Sequence, residues 1–140
     1  MDLDECLEKG YLVKESPAKD LVDKELKESE YDFKRAEIAL KDLDYKWAII
    51  KSYYSMFHSA KAICFKLGYR EKRHVATLII LEYLNKEGKL EIKYINDFKA
   101  AISARESADY RYTYTKENAS LMTGICKEFN KRILKLLERL

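Results

Sequence analysis

One stretch limits what this chain can fold into more than any other. Residues 45–67 read Y-K-W-A-I-I-K-S-Y-Y-S-M-F-H-S-A-K-A-I-C-F-K-L, with no Pro and no Gly, and Gly68 follows directly. Glycine just past a helix is a common stop, because it adopts the left-handed backbone that ends the last turn. Apolar residues cover most of the circumference: Trp47, Ile49, Ile50, Tyr53, Tyr54, Met56, Phe57, Ala60, Ile63, Cys64, Phe65 and Leu67. A helix that is apolar nearly all round is normally buried among others. The exception is a narrow stripe of Lys51, Ser55, His58, Ser59, Ala62 and Lys66, spaced by three or four and so on one face. The stripe predicts one polar seam that faces water, a partner subunit or a site. Lys, Ser and His interrupt the run too often for a membrane span.

Around that helix the rest of the chain also reads as helix. With one Pro and four Gly in 140 residues, it has little turn chemistry for a many-stranded sheet. Ser16-Pro17 suggests a helix start, with Ser16 as cap and Pro17 in the first turn, opening a helix over 17–41. Further helices are expected over 75–86, 91–110 and from about 115 to the end. The first 15 residues read as a short helix and linker. Residues 110–115, Y-R-Y-T-Y-T, alternate like a strand but have nothing to pair with, so they read as a loop. The expected fold is all-α: an up-and-down bundle of four long helices with a short additional N-terminal helix. Short connections imply antiparallel neighbours.

Charge and cysteine usage exclude several classes. A formal net charge of +3 does not argue for nucleic acid by itself. Three cysteines, odd in number and without a C-x-x-C pair, read as reduced core thiols of a cytoplasmic protein. No phosphate-cradling Gly loop, metal-spaced cluster or nucleophile elbow is present, so neither metal nor cofactor is expected.

Three places could carry chemistry. His58 lies on the polar seam, where it could act as acid or base, or simply bond a neighbouring helix. Arg70, Lys72, Arg73 and His74 precede a helix N-terminus; they form either a phosphate-binding loop or a solvated basic one. Arg105 continues the inward series Ile95, Phe98 and Ile102, and Asp109 stands one turn later on its face. Tyr110, Arg111, Tyr112 and Tyr114 follow. The group is either an internal ion pair that clamps the loop, or a site where Arg meets phosphate and Tyr stacks on a base.

Three stretches, taken in order, resemble the HEPN domain family, helical proteins often encoded beside minimal nucleotidyltransferases. Residues 53–62 resemble its Y-Y-x-M-F-H-x-A-K-A helix. Gly68-Tyr69-x-x-Lys72-x-His74 resembles the G-Y-x-x-K-x-H loop, and Arg105-x-x-Ala108-Asp109-Tyr110 the R-x-x-A-D-Y segment. The resemblance covers roughly residues 17–139, so the chain is expected to be one HEPN-like domain. It implies a helical bundle that pairs as a homodimer, binds a nucleotide or RNA, and works with a nucleotidyltransferase partner. In many members it also implies metal-independent RNase toxin activity. The implied binding residues are Arg105, Asp109, Tyr110, Tyr112, Lys72 and His74. RNase members place a His four to six residues after the Arg. Here Tyr110, Arg111 and Tyr112 stand at those offsets, and Tyr, with an ordinary pKa near 10, is a poor base at neutral pH. The expectation leans away from catalysis. Arg105, Tyr110 and His58 are the candidates if any remains, and His58 could serve only if the fold brings it beside Arg105.

Overall fold

The computed structural model describes residues 1–140. The order is α1 (Leu3–Glu8), β1 (Leu12–Lys14), α2 (Lys19–Lys41), α3 (Tyr45–Lys66), β2 (Tyr69–Glu71), α4 (Val75–Lys86), α5 (Ile92–Tyr110) and α6 (Lys116–Leu137). The protein is helical, as its composition implies, and α3 is its central helix. Asp44 caps α3 by accepting from the Trp47 amide at 3.3 Å, and the chain leaves α3 through Gly68 at φ +88°. Fourteen of its residues are buried, so α3 contacts every other long helix as well as α4. Three free thiols, Cys6, Cys64 and Cys126, lie buried in α1, α3 and α6. No helix is long and apolar enough to cross a membrane.

The contacts give the helix directions. Asp32 meets Lys51, Ser29 meets Ser55 and Glu25 meets Lys61, so α2 and α3 run antiparallel, as their short connection requires. Glu91 meets Arg132 and Phe98 stacks on Phe129, so α5 and α6 are antiparallel too. By contrast, Ser52 meets Thr123 and Ser59 meets Asn130, so α3 and α6 touch in parallel. They can do so because they are not consecutive: α4 and α5 carry the chain back between them. The helix expected over 75–86 is the twelve-residue α4, standing beside four long helices of which α3 and α6 touch in parallel.

Three local expectations are corrected. First, α2 starts at Lys19, not Pro17, with Ala18 at the cap and no side-chain capping bond. The cause lies upstream. β1 pairs antiparallel with β2, Leu12 opposite Glu71 and Lys14 opposite Tyr69, and the Glu15 amide extends the pairing to the Gly68 carbonyl at 2.9 Å. That holds the chain extended through Ser16-Pro17. Second, the first three residues of the basic loop are β2. Third, the polar seam of α3 does not face water at Ser55, Ser59 or Ala62, which are buried beneath α2 and α6. Ser29 donates to the Ser55 carbonyl (2.8 Å) and Ser55 to the Ser29 carbonyl (2.7 Å). Ser59 donates to Asn130 Oδ1 and Asn130 Nδ2 to Ser55 Oγ, each at 2.8 Å. Buried polar groups are tolerable when satisfied in this way.

Candidate functional site

The site is assembled on one ring. Tyr53 in α3 is buried, flanked by Phe57 (centroids 6.2 Å apart) one turn on and by Phe98 of α5 (6.3 Å). The aromatic spacing that makes α3 the core helix therefore also fixes this ring. Its hydroxyl lies 3.4 Å from His74 Nδ1, and the Arg105 guanidinium carbon sits 4.9 Å from its centroid. Burial pushes the Tyr53 hydroxyl above its ordinary pKa, against the pull of Arg105, so the group stays protonated.

Arg105 reaches Tyr53 because α5 presents it on the same side as Phe98, two turns away. Its side chain is 15% exposed. A second ring, Tyr110, has its centroid 5.9 Å from the guanidinium carbon. Asp109 is on the same face, but its carboxylate stands 3.8 Å from Nη1, too far for a hydrogen bond. Arg105 Nε is buried with no partner at all. Burial alone would lower the arginine pKa; the hydroxyls of Tyr53, Tyr54 and Tyr110 outweigh it and the pKa rises. The result is a charged planar fork held by aromatic faces, with its hydrogen-bond donors largely unspent. The ion-pair half of the clamp is weak.

His74 meets the hydroxyl end of the ring. It is exposed, occupies the N-cap position of α4, and lies against Phe57 with ring centroids 4.3 Å apart. Of its basic neighbours, Arg70 is spent on Glu15 (2.8 Å) and Arg73 lies over the Tyr11 ring (5.2 Å). Lys72 stays exposed, its backbone amide bonded to the Tyr11 carbonyl at 2.8 Å. The loop therefore offers Lys72 and His74. Beyond Arg105 the α5–α6 connection exposes Tyr110 (69%) and Tyr112 (75%), and Tyr112 is held at φ +53°. Lys46 Nζ lies 5.7 Å from the Tyr112 centroid. Two residues read from the sequence only as core positions of the central helix, Tyr53 and Phe57, are thus what join Arg105 to His74. Their only signal was their place in the Y-Y-x-M-F-H run.

His58 is elsewhere. Its Nδ1 is 2.6 Å from Glu25 and its Nε2 3.6 Å from Asp32. Lys61 bridges Glu25 (3.6 Å) to Glu71 (3.1 Å), and Lys51 approaches Asp32 (3.6 Å). Burial works against ionising both acids. It prevails at Asp32, whose pKa rises, while His58 and Lys61 overcome it at Glu25, whose pKa falls. This ladder ties α2 to α3, and His58 is committed to it rather than to Arg105.

With that geometry in hand, the comparison with known proteins is decisive on kinship. The family model for the HEPN domain matches residues 22–140. The chain belongs to the HEPN family. A protein of Methanocaldococcus jannaschii named "Putative toxin MJ0605" is 28% identical over 114 residues, covering 80% of this chain and 85% of its own. In this HEPN protein the three family stretches, distant in sequence, supply Tyr53, His74 and Arg105 to one place.

Proposed function

We propose that this HEPN protein is an RNA-associated subunit that receives a backbone phosphate at Arg105. The observation that carries the reading is the state of that side chain: a charged fork between two Tyr rings, Nε without a partner, and the nearest carboxylate beyond hydrogen-bond range. Arginine in this form suits bidentate binding of phosphate. Lys72 and His74 add donors on one side, with Tyr110 and Tyr112 as stacking faces on the other. Asp109 orients the fork from one turn away. The nucleotide or RNA is brought to a homodimer in the cytoplasm that acts with a nucleotidyltransferase partner chain, as kinship with the HEPN domain supports. The whole chain serves as a single domain in this role.

The test is binding of a labelled single-stranded RNA to the wild type and to Arg105→Ala. The wild type should bind with an affinity that falls as salt rises, and Arg105→Ala should weaken it at least tenfold. Equal binding by both, or none by the wild type, rejects the reading.

A second reading is favoured by the name of the Methanocaldococcus jannaschii relative. On it the chain is a toxin that cleaves the RNA it binds, and a nucleotidyltransferase partner restrains it. The missing histidine after Arg105 argues against this along the sequence; His74, which meets the Tyr53 ring that Arg105 lies over, is the histidine another element offers nearby.

A further inference from the structure

The end of the bundle opposite Tyr110 gathers cations. Arg132 and Lys135 of α6, and Arg139 in the turn that closes it, follow one another at steps of three and four. The turn between α4 and α5 brings Gly88 and Lys89 to meet them. One bond fixes the meeting: Arg132 Nη2 donates to the Lys89 carbonyl at 3.0 Å. Arg132 is also held by Glu91, its Nε lying 2.9 Å from each carboxylate oxygen. Between the turn and α6 lies a cavity of about 600 Å³, lined by these cations and by Gly88, with Leu136 buried beneath them. No Asp or Glu side chain lines it. Glu91 neutralises Arg132, but Lys89, Lys135 and Arg139 pair with no acid and stay exposed. The negative end of a helix attracts cations, and a side chain drawn there can bond the last carbonyls. The only carbonyl that any of these side chains bonds is that of Lys89, outside any helix. The helix end therefore does not account for the cluster.

We propose that this cavity binds a linear oligophosphate, one phosphate group for each free cation, through Lys89, Lys135 and Arg139. Arg132 is the post that holds the α4–α5 turn against α6 and so sets Lys89 opposite the other two. Two ammonium groups supply compact charges with three donors each, and the Arg139 guanidinium supplies a planar fork that matches phosphate oxygens in pairs. No aromatic residue lines the cavity, so nothing there stacks on a base and the site reads charge alone. A single phosphate would leave most of the volume empty. An extended acidic peptide turns alternate side chains to opposite faces, whereas every unit of a phosphate chain carries charge. Free inorganic oligophosphate and the tail of a nucleoside triphosphate offer the same row of anionic oxygens. The site is independent of Arg105: fourteen residues of α5 separate Arg105 from Glu91, about 20 Å at the helical rise. It stands whether or not RNA binds at the other end.

The experiment is isothermal titration calorimetry of the full chain with sodium tripolyphosphate, and with inorganic phosphate, ATP and a hexaglutamate peptide for comparison. Each is run on the wild type and on Arg105→Ala, which silences the phosphate-binding surface at the other end. Tripolyphosphate should bind both proteins, more weakly as salt rises, and inorganic phosphate should bind Arg105→Ala at least about tenfold less tightly. In Arg105→Ala, where only this site remains, ATP should bind no more tightly than tripolyphosphate. Lys135→Ala and Arg139→Ala, made in that background, should each weaken tripolyphosphate about tenfold, the weight of one charge-assisted hydrogen bond. Lys135→Arg should retain most of the affinity. Lys24→Ala removes the same charge from an exposed site on α2 and should change nothing. The substituted residues of the cavity are exposed, and circular dichroism checks that each variant is folded. A wild type that ignores tripolyphosphate overturns the proposal, and so does binding that disappears in Arg105→Ala. Equal weakening by Lys24→Ala and Lys135→Ala would reduce the effect to overall charge and reject a site. Tighter binding of hexaglutamate than of tripolyphosphate would reject it in favour of an acidic protein segment, and tighter binding of ATP would mean that a base is read.

Discussion

At the scale of single residues, Arg105 and His58 are opposites. Arg105 is held by rings, and its nearest charge partner is weakly engaged, so its removal should cost little stability. An exposed or loosely made ion pair contributes roughly 0–1 kcal/mol and a cation–π contact about 0.5–2 kcal/mol. Arg105→Ala should therefore unfold within about 2 kcal/mol of the wild type in urea. A loss of about 3–5 kcal/mol, the cost of stranding one partner of a buried pair, would restore the clamp. Arg105→Lys keeps the charge but not the planar fork, and should bind RNA more weakly than the wild type. His58 is held by charge. The Glu25 carboxylate can only accept, so Nδ1 of His58 carries the hydrogen in their 2.6 Å contact. His58→Ala should cost about 1.5–3 kcal/mol at neutral pH, the usual range for a hydrogen bond to a charged group. The sign with pH follows from Glu25. Its pKa is lower in the folded state, so the stability it contributes is present above the unfolded value of 4.5 and is lost as pH falls through the folded one. Asp32, raised by burial, has the opposite sign: its penalty is relieved on acidification. The gap between wild type and His58→Ala should therefore narrow below about pH 4. Urea melts at pH 7 and pH 3.5 would show it, and a constant gap would sever the link to Glu25.

At the scale of elements, the crossing of α2 and α3 depends on serine. Ser29 and Ser55 bond each other's carbonyls, which brings the two backbones close, and Ser59 passes the network on to Asn130 of α6. Ser29→Val would set a branched apolar side chain against the Ser55 carbonyl, which lies 2.8 Å from the Ser29 hydroxyl, and break the link to Ser55 and Ser59. Overpacking and an unmade buried hydrogen bond each cost about 1–3 kcal/mol, so a loss of at least about 2 kcal/mol is expected in denaturant melts. Ser29→Ala should lose less, since it only removes bonds. If Ser29→Val proves neutral, the crossing is looser than its distances imply. The same element shows why its role was hidden in the sequence. A polar stripe at helical spacing looks alike whether water, a partner or a serine network covers it. Only the placement of Ser29 and Asn130, 26 and 75 residues from Ser55, decides which.

At the scale of the molecule, the reach of each signal set what could be read in advance. The ends of α3 depend on Asp44 and Gly68, local residues with local effects, and were legible. So were α4, α5 and α6 and the loop after Tyr110. The β1–β2 pair was not legible: each strand is three residues long and its partner lies more than fifty residues away, so neither carries a periodic pattern. The site was half legible. Arg105 could be placed on the inward face of its helix by register alone, but His74 joins it only through Tyr53, across 21 residues of chain. The homodimer proposed above belongs to this scale too. Leu43, Trp47, Tyr110, Tyr112 and Tyr114 stay exposed, and the Lys46–Tyr112 contact sets the first two near the last three. Exposed aromatics are common in interface cores. Light scattering at micromolar concentration should give twice the 16.5 kDa of one chain; a monomer mass would count against assembly through this end.

The three buried thiols also make the protein a clock for its own opening. Burial lifts the Cys126 thiol to about 12 and the Cys64 thiol higher still, so neither forms a thiolate while the fold is closed. Alkylation by iodoacetamide needs the thiolate, and so needs the chain to open first. Cys6 in α1, Cys64 in α3 and Cys126 in α6 then sample the edge, the centre and the last helix separately. Mass spectrometry of quenched time points should find Cys6 labelled earliest, since α1 is six residues long and packs mainly on α4 and β1 rather than in the central bundle. Cys64 and Cys126 should follow together, at the rate of global unfolding, because α3 and α6 share one core. Labelling of Cys126 well ahead of Cys64 would mean that α6 departs on its own.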